Sequence, residues 1–479
     1  MGVNILKPKG ILGFINPNKF IKASYGKNLK EFLSELQLLQ LIDFGELNVF
    51  QDAVTSPLIL LVNKSKPIQN TKFLQINTLK DLNLEISILN DSIELNPKVF
   101  NEEKWNLISE KELSIIKKVS ENHKSIAELD FLDIKRGLLT GLNDAFIIDD
   151  ETKESIKERD PKSIELIKKF IDGDDVRKYQ IRTKNKHLIC IPNGYTDDQE
   201  EFMSEEDAFQ WLMNNYPGIA NYLKEFEFKA KNRSDKGRYW WELRACDYYD
   251  LIESKKIIYP EIAMSSRFAF DDNNIYINKT IFLINSSSYG LLGLLNSKLI
   301  WYYLINTCAS LGDPKNGGRL NMQRIYLETI GIPNEILNNE SKLSEITKVL
   351  NGLYQNYNNI LDKYRVYIQS SMVISKLSKK LENWYELEFG EFIKELNKAI
   401  KATNRQMAKD TAAGINIDNV ALPPLTKKDE FEWLELFEEN KKKAQELLQQ
   451  IAQTEKEIDL MVYALYGLAP EEIEIVENS

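Results

Sequence analysis

Three short segments concentrate side chains able to grip an anionic strand and read the edges of bases. Lys135-Arg136-Gly137, followed by Thr140-Gly141-Leu142-Asn143, puts two cations, two glycines and two short polar side chains into nine residues. Cations anchor phosphates, and hydroxyl and carboxamide groups offer donors and acceptors to base edges. The glycines let backbone amides approach such a strand closely. The same residues equally suit a structural turn that fixes a first strand pair. In the second segment, KAKNRSDKGRYWWELR (229–244), Lys231, Arg233, Lys236, Arg238 and Arg244 surround Tyr239, Trp240 and Trp241. Cations interleaved with aromatics hold phosphates and stack on bases. The expectation is DNA contact for these cations and Trp240, with at least one tryptophan in a core. The third segment, GDPKNGGRLN (312–321), carries Lys315, Asn316, Arg319 and Asn321. No Gly-Lys-Ser/Thr ends it, so it is not a nucleotide phosphate loop. Arg319 and Asn321 suit guanine or adenine edges, or a phosphate, and a structural turn is the competing reading.

Composition limits where such binding can occur. The 479 residues carry 62 Lys+Arg against 72 Asp+Glu, a net charge of −10. Any nucleic-acid affinity must therefore come from a local patch. Cys190, Cys246 and Cys308 are few and far apart, which suits a reducing bacterial cytoplasm better than a disulfide framework. The two histidines, His123 and His187, give no zinc-site spacing and no nucleophile–base pair. No apolar run reaches the ~18 residues of a membrane span, so no membrane partner is expected.

The elements that must position these residues fall into four stretches. In 1–65, Gly10–Ile15 reads as a buried strand. A helix is expected from about Lys27 to Leu39, with Leu29, Phe32, Leu33 and Leu36 on one face. Two more strands are expected near 41–44 and 57–62. Residues 66–130 read as a polar connector with helix signals around 102–118, and 131–335 as mixed strand and helix. In 340–479, apolar spacing predicts two long amphipathic helices joined by a loop near 412–426. Asp160 or Ser163 is expected to cap a helix. Glu471, Glu472, Glu474 and Glu477 are expected at a solvated helix end.

Several segments, in family order, resemble one enzyme group. LDIKRGLLTGLNDAFIID (132–149), DPKSIELIKKFIDGDDVRKYQ (160–180), KIIYPEIA (256–263), SYGLLGLLNSKLIWYYL (288–304) and GDPKNGGRLNMQRIYLETIGIP (312–333) resemble the TaqI-like target-recognition domain. That domain occurs in type IIG restriction–modification enzymes and related adenine-specific DNA methyltransferases. The ending EKEIDLMVYALYGLAPEEIEIVE (455–477) is also similar to theirs. Residues 5–33 and 39–65 resemble the last part of their N6-adenine methyltransferase domain. The resemblance implies an α/β remnant of a Rossmann-like methyltransferase (1–65) and a connector (66–130). A mixed α+β recognition domain (131–335) and a C-terminal helical hairpin or bundle (336–479) follow. It also implies double-stranded DNA as partner, and S-adenosylmethionine as cofactor of the complete enzyme.

The chain departs from that family where chemistry would occur. It contains no glycine-rich S-adenosylmethionine loop, no Asn-Pro-Pro-Tyr motif and no nuclease carboxylate–Lys cluster. Adenine N6 is a weak nucleophile, because its lone pair is delocalised into the ring. The motif's Asn and Pro oxygens accept its protons, and its aromatic residue stacks on the flipped base. Asn16-Pro17 has no second proline and does not substitute. Phe50 matches an aromatic position that packs on the flipped adenine in related methyltransferases; ordinary core packing is the competing role. The expectation is a truncated chain that recognises a DNA site, binds no cofactor alone and is inactive alone. Two alternatives stand beside it. One is a subunit of a split methyltransferase, completed by a protein supplying the N-terminal methyltransferase or nuclease half. The other is a non-catalytic interaction or regulatory protein using its long helices.

Overall fold

The computed structural model describes residues 2–21, 24–45, 47–50, 55–102, 105–312, 317–337, 341–374, 376–412 and 422–479. They form two compact units. One comprises Met1–Ser287, Leu295–Leu337 and Val462–Ser479; the other comprises Ser288–Leu294 and Asn338–Met461.

The first unit begins with a five-stranded sheet of β1 (Ile11–Pro17), β2 (Gln37–Asp43), β3 (Pro57–Asn63), β4 (Thr71–Gln75) and β5 (Ile93–Leu95), in the order β1-β3-β2-β4-β5. Leu38, Leu41, Leu58, Leu60 and Val62 pack with Phe20, Leu33 and Trp105. Ile42, Phe44, Leu74 and Ile76 form a second small cluster. Strands covered on both faces read as near-continuous apolar runs, as β3 (PLILLVN) does.

Among these strands only β2–β4 pairs in parallel; β1–β3, β2–β3 and β4–β5 are antiparallel. Three expectations change here. Gly10–Ile15 falls on edge strand β1, not on a buried one, and leaves Ile11, Phe14 and Ile15 exposed. The first helix stops at Ser34, because Leu38 and Leu41 are drawn into the sheet; Leu29 and Phe32 remain exposed. Residues 66–130 are more than a connector. They supply β4 and β5, then a helix, Glu110–Glu121, closed by a capping box in which Ser109 and Glu112 satisfy each other's backbone amides.

The remaining strands of this unit are short. They are β6 (Ile134–Arg136), β7 (Ile147–Ile148), β8 (Ile167–Ile171), β9 (Val176–Arg177), β10 (Gln180–Ile181), β11 (His187–Ile189), β12 (Lys256–Pro260), β13 (Ile262–Ala263), β14 (Ala269–Asp271), β15 (Tyr276–Ile277), β16 (Ile281–Ile284), β17 (Ala309–Leu311) and β18 (Arg319–Asn321). They assemble as β15-β8-β11-β7, β14-β12-β16-β6, β13-β18-β17 and the hairpin β9-β10. One core, including Phe146, Phe170, Trp240, Trp241, Ile258 and Leu283, underlies much of this region. Asp160 caps the 3-10 turn Pro161–Leu166, and buried Ser163 donates to its Oδ2 at 2.5 Å.

The helix Pro470–Glu477 belongs to this unit, and here the expected solvated end fails at one residue. Glu472 is buried, 2.6 Å from Lys118 Nζ, and accepts from Ser114 Oγ at 2.8 Å and Ala469 N at 2.7 Å. Burial alone would raise its carboxyl pKa; Lys118, the Ala469 amide and Ser114 together hold it below the ordinary value. A depressed folded-state pKa stabilises above the unfolded value, about 4.3, and that contribution is lost as pH falls through the folded one. Hydrogen exchange of residues 470–477 is therefore expected to accelerate below about pH 4, and E472Q to remove that dependence.

In the second unit the long helices Lys342–Ser371 and Phe389–Ala412 join the part of Lys427–Leu465 that ends at Met461. The expected pair of helices is thus three. The break after Ser371 is set by backbone that apolar spacing does not encode: Val373 sits at φ 47°. Tyr364–Phe392 and Phe392–Phe437 ring contacts, at 6.2 and 4.7 Å, tie the three together. No described helix of the chain is long and apolar enough to cross a membrane.

Candidate nucleic-acid interface

The first two segments singled out by sequence, nearly a hundred residues apart, meet in space. Gly137 lies against the backbone of β15 and its following turn: an added Cβ would come within 2.2 Å of Asn278 O and 2.5 Å of Ile277 O. Gly141, at φ 70°, backs onto Asp235, whose carbonyl would lie 2.4 Å from a Cβ. Arg233 ties the segments together. Its guanidinium donates to Thr140 O at 2.6 Å, to Trp240 O at 3.3 Å and to Glu242 O, and lies over the Phe146 ring. The buried Glu242 carboxylate accepts from Gly194 N at 3.0 Å, Thr196 N at 3.1 Å and Tyr239 N at 3.4 Å, pinning the second segment from the other side.

A cleft of about 300 Å³ opens beside this junction. Arg136, Gly137, Arg244, Asp247, Tyr248 and Lys279 are among its lining residues. Arg136 Nη2 is 2.6 Å from Glu261 Oε2, its Nε donates to Lys279 O at 2.7 Å, and Tyr248 OH donates to its carbonyl at 2.9 Å. Arg244 is held loosely, 3.8 Å from Asp235. About half of each arginine side chain remains exposed, at 49% and 51%. The lining brings together three cations, Arg136, Arg244 and Lys279, and one carboxylate, Asp247, while Glu261 and Asp235 pair with the two arginines. Lys279 was missed by sequence reading. A single lysine after Asn278 carries no signal until the Gly137 contact brings that turn to the cleft.

Other residues singled out by sequence take varied places. Arg233 and Trp240 are buried, at 8% and 2% exposure, which corrects their expected role in touching DNA: the arginine serves backbone carbonyls and the tryptophan the core. Thr140 is also buried and donates to Asn143 Oδ1 at 2.6 Å, leaving Asn143 at the surface. Lys135 bridges Asp133 at 2.8 Å. Lys231 lies 3.0 Å from both Glu205 and Glu227, and hydrogen bonds to those carboxylates raise its pKa. Lys236 donates to Lys231 O, and Arg238 pairs with Asp197 at 2.7 Å. Arg319 is exposed on β18, with Asn321 half-buried beside it. Lys315 and Asn316 lie outside the described residues. Phe50 is 43% exposed, so it is not core.

Gly137→Ala tests the junction. Its methyl would overlap two backbone oxygens, so a loss of about 2–3 kcal/mol is expected, read as a lowered urea midpoint. An unchanged midpoint would mean the turn is free to move.

Three segments of the chain match family models. Residues 168–332 match the TaqI-like C-terminal specificity domain, residues 1–50 the Eco57I restriction-modification methylase, and residues 336–462 a domain of unknown function, DUF8810. The type II methyltransferase M.BanIII of Aneurinibacillus aneurinilyticus is 22% identical over 427 residues, 80% of this chain and 69% of its own length. M.BstVI of Geobacillus stearothermophilus is 22% identical over 71% of this chain and 61% of its own length. The restriction enzyme and methyltransferase RM.Eco57I of Escherichia coli is 40% identical over 79 residues, 16% of this chain and 8% of its own length. Two solved structures are similar. The type IIG restriction endonuclease BpuSI has a TM-score of 0.34 and 13% identity, covering 72% of this chain and 43% of its own. The type IIL restriction-modification enzyme MmeI in complex with DNA has a TM-score of 0.40 and 14% identity, covering 91% and 50%. The chain thus spans about half the length of MmeI and less of BpuSI. Residues 168–332 are thus similar to the TaqI-like C-terminal specificity domain, in a chain similar over 80% of its length to a type II methyltransferase.

Proposed function

We propose that this chain recognises a specific sequence in double-stranded DNA as part of a restriction–modification system. Its role is to bring an S-adenosylmethionine-dependent adenine-N6 methyltransferase to its target. The observation that carries this reading is the convergence of Arg136, Arg244 and Lys279 on one cleft of the specificity domain and its flank. Arg244, held loosely by the exposed Asp235, exchanges that partner for a phosphate at small net cost, since exposed pairs are worth only about 0–1 kcal/mol. The R136A/R244A pair is expected to weaken binding to a mixed-sequence duplex at least ~10-fold. The slope of log affinity against log salt should shrink by about 1–2. K231A, whose ammonium is held between two glutamates, is expected to leave both unchanged. Affinity that ignores salt, or survives the double substitution, would defeat the reading.

Among the described residues, the turn after β1 and the start of the next helix do not fit a cofactor cradle. The turn after β1, Asn18–Ile21, contains no glycine, and Asn18 Nδ2 is engaged by Asp43 Oδ1 at 2.8 Å. Gly26, before the next helix, serves a close approach to Phe20, whose carbonyl would lie 1.9 Å from a Cβ. No step of methyl transfer is therefore assigned to this chain's residues. Edge strand β1 favours completion by a second chain, since Ile11, Phe14 and Ile15 lie exposed along it. Methyl transfer to mixed genomic DNA is expected only when a methyltransferase half is added. Transfer by this chain alone would overturn that assignment.

A further inference from the structure

The three-stranded sheet β13-β18-β17 has two unlike faces. Its register places Ile262 opposite Asn321, Asn321 opposite Ala309, and Arg319 opposite Leu311. Side chains alternate along a strand, so these five share one face. Ala263, Leu320 and Ser310 occupy the other, where Leu320 and Ala263 are fully buried. The first face is open: Leu311 is 58% exposed and Ile262 36%, with Arg319 exposed between the apolar side chains. Where a sheet covers a core with one face, the other is ordinarily polar. Here that face is an apolar strip with one guanidinium and one carboxamide. No carboxylate among the described residues pairs with Arg319, in contrast to Arg136 and Arg244. Asn321 is half-buried, and its Oδ1 is buried with no donor among the described residues.

We infer that this face is the base-reading surface of the chain, laid against base edges in a DNA groove while the neighbouring cleft holds phosphates. The inference rests on the proposed DNA recognition and assigns its sequence-reading part. A β-ribbon fits the major groove, which is roughly 12 Å wide. Arginine pairs there with guanine O6 and N7, asparagine with adenine N6 and N7, and aliphatic side chains with the thymine methyl. The face carries all three chemistries. It is also continuous with the cleft: Glu261, the carboxylate that holds Arg136, directly precedes Ile262, and its carbonyl accepts from Met322 N at 2.7 Å next to Asn321. Gly312 and Gly317, at φ 85° and 84°, flank the β17–β18 connection. Their backbone conformation is one that bulkier residues rarely adopt.

The test uses the full chain and a pool of random 20-base-pair duplexes, sequencing the bound fraction for wild type and for R319A/N321A. The wild type is expected to enrich a motif. The double variant should lose at least ~10-fold preference at one or two adjacent base pairs of it. Its affinity for bulk random duplex should fall less than ~3-fold. L311A is a second variant that leaves the polar groups in place; it should relax preference at a neighbouring A·T pair. An unchanged motif in both variants overturns the inference and leaves DNA recognition standing. A uniform loss of affinity with the motif intact also overturns it, placing Arg319 on a phosphate. A wild type that enriches no motif overturns both the inference and the reading beneath it.

Discussion

Replacing Arg233 with alanine is expected to cost about 3–5 kcal/mol of stability and, with it, DNA binding. The guanidinium is buried and donates to three carbonyls, Thr140 O, Trp240 O and Glu242 O, from two segments that touch through little else polar. Burial pushes its pKa down to about 10, with Asp235 acting the other way, so the fold tolerates this charge for the bonds it makes. Truncation takes the donor from Thr140 O and Trp240 O at about 1–3 kcal/mol each, while Glu242 O keeps Gly237 N at 3.2 Å, and it opens a void over Phe146. Lysine keeps the charge but lacks the planar fork that reaches several acceptors at once. R233K is expected to recover less than half the loss. Denaturant unfolding followed by tryptophan fluorescence reads this directly, because Trp240 and Trp241 lie in the affected core. A stable R233A chain with weakened DNA binding would return Arg233 to the role its sequence context suggests.

The second large effect concerns Lys256 and Asp271, both with side chains fully buried. Lys256 Nζ lies 2.5 Å from Asp271 Oδ2 and donates to Ile252 O. Asp271 also accepts from Ile275 N at 3.0 Å and Asn273 N at 2.9 Å, so it organises the turn after β14. Burial lowers the Lys256 pKa, and the Asp271 carboxylate is what opposes it. D271A strands a buried ammonium and is expected to cost about 3–5 kcal/mol. K256M/D271A removes both charges and should be more stable than D271A by ~1–2 kcal/mol, short of wild type because the turn stays uncapped. Equal stability of the single and double variants would show that the turn, and not the stranded charge, sets the loss.

Much of the site was legible in sequence as segments, and little of it as individual side chains. Residue type alone singled out 135–143 and 229–244; that the two segments meet follows only from long-range contacts. Arg233 and Arg244 look alike in that string. One lies under Thr140 and the other at the cleft rim, and only long-range contact with the first segment separates them. Lys279 and Glu261 gave no signal, since each depends on a strand pairing distant in sequence. In the fold, β2 and β3 followed from their apolar runs. β1 followed as a strand too, but its exposure did not, because an edge strand with apolar residues on open faces reads like a buried one. The third long helix was hidden by continuous amphipathic spacing across its breaks.

Selection of DNA by sequence is tested by one round of binding of the full chain to random 20-base-pair duplexes at two salt concentrations, with the bound fraction sequenced. One recurrent motif is expected at both concentrations, with total binding falling steeply as salt rises. Binding without a recurrent motif, or no binding at the lower salt, would contradict the claim.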